Sequence, residues 1–301
     1  MSFWSSSYLV AGVSMEIVSS VGDPSPYLPD QMRDFASPGQ ADLVVSLLYD
    51  ESAQSDPLKR FFPSKFTLTL HAEADGFSFE GVNGKKRHMG LITMNRDRGE
   101  IALPRLDRTW RIAQEREVVT DALQAFIKAC LQCHLAGLGG TLLHAAGVAY
   151  GGEGYAFVGH TRAGKTTLSR GLPASAVLGD DLVAVREIGE KHLLFGTPWP
   201  GREGGDVSYG GLPLRAIFNL HPELTRGLRR MAPAEAVAEL AVNAPRLGYS
   251  GEEDELLEVF SSAASALPIY ELSMRLGDDL ASWLEIYRKE EDKDHRQGTG
   301  G

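Results

Sequence analysis

The stretch Gly159 to Thr167, GHTRAGKTT, constrains this chain more than any other. It fits the pattern G-x-x-x-x-G-K-[ST] without a mismatch: Gly159, then His160, Thr161, Arg162 and Ala163, then Gly164, Lys165 and Thr166. The apolar run Tyr155, Ala156, Phe157, Val158 in front of it predicts a buried strand, and Thr167, Leu168, Ser169, Arg170 behind it start a helix. A loop between a strand and a helix N-terminus aims backbone N–H groups and the positive end of a dipole at an anion. The two glycines let the backbone bend and approach closely, Lys165 supplies a cation, and the Thr166 hydroxyl can ligate a metal. The expectation is a phosphate-binding loop spanning Gly159 to Thr167.

Length and charge bound the alternatives. At 301 residues the chain can bury one large or two modest cores. A net charge of −10 argues against nucleic acid or an anionic membrane as partner, since both reward a basic surface. The most apolar stretch, Leu131 to Ala149, is interrupted by Gln132, Cys133, His134 and His144, so no membrane span is expected. The first basic residue is Arg33, which leaves the N-terminus without the charged region of a secretory signal, and a cytoplasmic location follows as the expectation.

Two cysteines lie in the pattern C-x-x-C-H at Cys130, Cys133 and His134, which is also the spacing of covalent haem attachment. The pair falls inside an apolar pattern of helical period with Leu123, Phe126 and Ile127, and packed core residues are the reading preferred here.

The first hundred residues carry short apolar runs broken by turn formers: Tyr8 to Val13, Leu43 to Tyr49, Phe66 to Leu70 and Leu91 to Met94. They predict a mostly antiparallel β subdomain, with Asn83 and Gly84 as a hairpin turn and the Pro-rich stretch Gly22 to Gln40 as a surface loop. Glu115 to Leu138 predicts a long amphipathic helix closed by glycines. Thr141 to Tyr150 predicts one strand, turned by Gly151 to Gly154 directly into the strand that feeds the phosphate loop. Beyond the loop, Ala176, Val177, Leu178 runs into Gly179, Asp180, Asp181. An acid at the end of an apolar strand is what a magnesium-positioning carboxylate needs, and one short crossover is expected to bring that strand beside the loop strand. The Gly- and Pro-rich segment Gly196 to Gly211 fits either a substrate loop or a plain connection. Further strands are expected at Leu214 to Leu220 and Ile269 to Met274, and helices at Pro233 to Asn243, Asp254 to Ala266 and Asp278 to Tyr287.

With Leu143 to Val148 (LHAAGV), the phosphate loop and Gly179-Asp180-Asp181 taken together, the chain resembles the HPr kinase/phosphorylase family, within the fold group shared with phosphoenolpyruvate carboxykinase. The resemblance spans roughly residues 142 to 284. It implies an α/β fold leaning towards α+β, with a mixed-sheet P-loop kinase core over residues 113–287; the β-rich subdomain 1–112 precedes it, and residues 288–301, with no apolar side chain to bury, are expected to be a disordered tail. It also implies an ATP-dependent kinase that transfers the γ-phosphoryl group to a Ser/Thr-type hydroxyl of a small protein or peptide, with ATP and magnesium bound. Lys165 would hold the β- and γ-phosphates and Thr166 the metal; Asp180 would be the general base, Asp181 a metal ligand, and His144 the histidine near the transferring phosphate. Glu203, in the fragment Arg202-Glu203-Gly204, is carried over as a further metal ligand. The expected partners are a nucleotide, the protein or peptide acceptor and, in a homo-oligomer, further copies of the chain. The alternative reading is a catalytically silent nucleotide-binding regulatory module. The loop interior and the first hundred residues depart from the family pattern, which leaves the acceptor open.

Overall fold

The computed structural model describes residues 3–50, 67–73, 76–83, 86–106, 113–160, 163–199, 201, 210–221, 227–249, 251–273 and 280–298. The chain divides into two units, Met1–Leu142 with Pro245–Val259 and Leu143–Ala244 with Phe260–Gly301. Both carry mixed sheets, and the fold is mixed α/β. Among the described residues no helix is long and apolar enough to cross a membrane.

In the first unit, β1 (Trp4–Val10) turns at Ala11 and Gly12 into β2 (Val13–Ser19), so the run expected at Tyr8 to Val13 is the corner of a hairpin. There follow β3 (Leu43–Tyr49), β4 (Thr67–Glu73), β5 (Gly76–Asn83), β6 (Lys86–Thr93) and β7 (Arg98–Leu103). The sheet order is β1-β2-β3-β7-β6-β5-β4. The β2–β3 and β3–β7 pairs are parallel and the others antiparallel. Asn83 pairs with Lys86, and the two residues joining them lie outside the described residues. The stretch expected to be a surface loop, Gly22 to Gln40, forms two 3₁₀ turns, Ser25–Tyr27 and Asp30–Phe35, that bury Tyr27, Met32 and Phe35. Three large apolar side chains in a Pro-rich stretch are better removed from water than left on a surface, although they follow no helical or strand period.

Helix α1 (Ala113–Ala136) packs its Phe126 and Cys130 onto glycines of the sheet. A Cβ at Gly99 would lie 2.3 Å from Cys130 Sγ, and one at Gly90 would lie 2.7 Å from Phe126 Cε2. Leu123, Phe126, Ile127, Cys130 and Cys133 are all fully buried, as the helical period requires. The cysteines are free, and burial raises both thiols, Cys133 to about 12, so neither presents a thiolate at neutral pH. His134 turns its Nδ1 to the Arg96 carbonyl at 2.8 Å.

The chain crosses at β8 (Gly140–Leu143) into the second unit. Its strands are β9 (Ala146–Tyr150), β10 (Glu153–Val158), β11 (Val177–Gly179), β12 (Val183–Ile188), β13 (Lys191–Gly196), β14 (Leu212–His221), β15 (Gly227–Arg230) and β16 (Ile269–Ser273). The strand expected over Thr141 to Tyr150 is therefore two, broken by a bend at His144 and Ala145. β9 and β10 form the expected antiparallel hairpin over Gly151 and Gly152, and β14 runs parallel to β10 on its other side, followed by β16. The strand that ends in the acid pair, β11, lies beside β9 rather than beside β10. The tight hairpin puts β9 in the neighbouring place, so the crossover lands one strand farther out.

Helices α2 (Lys165–Arg170), α3 (Pro233–Asn243), α4 (Glu252–Ala266) and α5 (Leu280–Gly298) complete the chain. Phe157, Phe218, Tyr270, Trp283 and Tyr287 stack face-on and edge-on, seating the start of α5 on β10, β14 and β16. Where a disordered tail was expected from residue 288, α5 continues to Gly298. The segment has little apolar surface, and its helix is continuous with the packed turns before it, with Lys289 bonded to Glu285 one turn back at 2.6 Å.

Candidate active site

Strands β10 and β14 are parallel, and β11 points the same way because both it and β10 are antiparallel to β9. Their C-terminal ends therefore share one edge of the sheet, the side on which open α/β sheets hold ligands. The sequence leaves β10 there as Gly159 to Gly164, leaves β11 as Asp180 and Asp181, and leaves β14 through Asn219 and His221.

Gly159 has φ 144° and Gly164 φ 103°, both in the region that side chains avoid. Gly159 is also tightly enclosed: a Cβ there would meet the Leu220 carbonyl at 2.9 Å and Ala163 Cβ at 3.0 Å. The Ala163 amide donates to the His160 carbonyl at 3.0 Å, which tightens the loop, and the Leu168 amide donates to the Gly164 carbonyl at 2.9 Å as α2 begins. Lys165 folds back across the loop and donates to the carbonyls of Gly159 and, at 3.2 Å, His160. Burial lowers its pKa, and the charge of Asp181 works in the opposite direction. Thr166 and Thr167 occupy the first turn of α2, and His160 is exposed. Thr161, Arg162 and Glu203 lie outside the described residues, as do residues 202–209 of the segment Gly196 to Gly211.

The two acids differ. Asp180 is 4% exposed and lies against the backbone of Gly201, where an added Cβ would fall 2.0 Å from its Oδ1. Asp181 is exposed. His144 is exposed on the bend between β8 and β9, neither a strand residue nor a core histidine, and its backbone amide donates to the Asn243 carbonyl at 2.8 Å.

A second set of polar residues had no place in the sequence reading. Asn219, 2% exposed, pairs with Val158 across the parallel strands. Its Nδ2 lies 3.0 Å from Glu239 Oε2 on α3 and 3.3 Å from His221 Nε2. Asn243, 6% exposed at the end of α3, accepts the Gly159 amide on Oδ1 at 3.2 Å and donates from Nδ2 to the Glu239 carbonyl at 2.8 Å. The available signal was an Asn inside the apolar run Ala216-Ile217-Phe218-Asn219-Leu220, because a buried amide has to find partners.

Among the described residues no group of three or more His, Cys, Asp and Glu side chains could hold a metal ion. The Thr166 hydroxyl and the Asp181 carboxylate are hard oxygen donors of the kind magnesium takes.

No protein-family model matches the sequence. No curated protein matches it. Among solved structures the chain is similar to the HPr(Ser) kinase/phosphatase from Coxiella burnetii, with 10% identity, a TM-score of 0.30, and coverage of 54% of this chain and 99% of that chain. A likeness of that size carries no argument, and the reading of the site rests on its residues.

Proposed function

We propose that the chain is an ATP-dependent kinase that transfers the γ-phosphoryl group to a Ser/Thr-type hydroxyl of a small protein or peptide. The observation that supports this reading most strongly is Lys165: its ammonium lies over the loop carbonyls of Gly159 and His160, and the charge of Asp181 acts on it. A partly buried cation at the carboxyl edge of parallel strands, with a carboxylate nearby, is the equipment that phosphoryl transfer requires. In this reading Lys165 and the amides of the loop from Gly159 to Thr167 hold the phosphates, and Thr166 and Asp181 hold magnesium, with Glu203 as a further ligand. The metal, when bound, neutralises phosphate charge.

Asp180 accepts the proton of the acceptor hydroxyl as that oxygen bonds to the γ-phosphorus. The bond from phosphorus to the bridging oxygen breaks, and ADP leaves with that electron pair. His144, exposed at the same edge, contributes near the transferring phosphoryl group.

The burial of Asp180 beneath Gly201 favours a second reading, a nucleotide-binding regulatory module in which no acceptor reaches the carboxylate. One experiment separates the two. The purified chain is incubated with magnesium and γ-labelled ATP, alone and with candidate small proteins and peptides, and every polypeptide is analysed by mass spectrometry. Label on a Ser or Thr hydroxyl, lost in a folded Asp180→Asn variant that still binds ATP, is the expected result. Tight ATP binding with no label on any polypeptide supports the regulatory module instead.

A further inference from the structure

Asn243 joins three parts of the candidate site. Its Oδ1 accepts the amide of Gly159, the first residue of the loop; its Nδ2 donates to the Glu239 carbonyl one turn back in α3; and its own carbonyl accepts the amide of His144. Gly159 is thereby held at both of its backbone polar groups, the amide by Asn243 and the carbonyl by Lys165.

We infer that Asn243 is a positioning residue for phosphate binding: it fixes the first peptide of the loop, and with it the direction of the amides and of Lys165 that follow, and it ties that geometry to His144. The inference rests on the proposed nucleotide site. With the Asn243 side chain shortened, the buried Gly159 amide loses its acceptor, and the loop must either leave the amide unpaired or rearrange to expose it. Either outcome disorders the phosphate cradle before any ligand arrives.

Serine at this position separates the loop bond from the helix bond. Its hydroxyl can still donate to the carbonyl four residues back, as Ser does within helices, but it is too short to reach Gly159. Asn243→Ser and Asn243→Ala are therefore compared with the wild type and with Lys165→Ala by calorimetric titration with magnesium–ATP, alongside thermal melting. Asn243→Ser is expected to stay folded with a melting temperature lowered by a few degrees, and to bind magnesium–ATP about tenfold more weakly, and Asn243→Ala to lose at least as much affinity.

Wild-type affinity in a folded Asn243→Ser, with binding lost in Lys165→Ala, overturns the inference and leaves the nucleotide site standing. A wild-type chain that binds no magnesium–ATP overturns the site and the inference together. Should either Asn243 variant fail to fold, hydrogen exchange at the Gly159 amide of the wild type decides. A protected amide is expected, and one that exchanges as fast as the amide of exposed His160 overturns the inference.

Discussion

Glycine serves opposite purposes at the helix–sheet seam of the first unit and at Gly164 of the second. Under α1, Gly90 and Gly99 are holes for Phe126 and Cys130, and an added methyl group would strike a side chain. In the loop after β10, Gly164 has nothing within 4 Å of where a Cβ would stand, and what requires glycine there is its φ of 103°. The first unit thus uses missing side chains to bring helix and sheet together. At Gly164 the second unit uses one to bend a backbone in open space. A close-packed seam gains stability from every atom, whereas an open loop holding a half-buried cation gives stability up.

The largest effect is expected at the seam. Phe126→Ala should destabilise the protein by about 3–5 kcal/mol in urea unfolding, because the fully buried ring leaves a cavity behind. Gly99→Ala should cost about 1–3 kcal/mol by overpacking. A Cys130→Ala change in the same chain should restore part of that loss, because the clash is with Cys130 Sγ. Strict additivity of the two changes would break the account of the seam.

At the loop, Gly164→Ala should cost about 1–2 kcal/mol through backbone conformation alone. Because the site is open, no second substitution of a neighbour should relieve it. A rescue by trimming a nearby side chain would erase the contrast between the units.

The smallest effect on stability is expected at Lys165, and its sign is the informative part. Burial lowers the folded pKa below the ordinary value of 10.5. Below the folded pKa the group is charged in both states, and its burial is a full penalty. That penalty fades as the pH rises through the folded pKa towards 10.5. Lys165→Met should therefore leave the melting temperature of the ligand-free chain within about 2 °C of the wild type, or raise it, with the advantage shrinking at alkaline pH. A large drop would mean that Lys165 holds the fold rather than a ligand.

Much of this was legible where the cue was local. The strand before Gly159 and the helix after Gly164 follow from adjacent residues, α3 begins at Pro233 as its proline position predicts, and the face of α1 follows from its period. What was not legible depends on distant partners. β15 is exposed throughout and reads as polar chain, with only β16 to make it a strand. The bend falls at His144 and Ala145, neither of them a glycine or a proline that would mark a turn. The place of β11 depends on β9 occupying the position beside β10. Asn243 looks like an ordinary helix end until Gly159, more than eighty residues earlier, is seen to donate to it.

A loop from Gly159 to Thr167 built to hold nucleotide phosphate shows itself in calorimetric titration of magnesium–ATP into the wild type and into Lys165→Met. Saturable binding by the wild type, weakened about a hundredfold or more in a variant that melts at the same temperature, is the predicted result. Equal affinity in the two chains, or no binding by either, would contradict it.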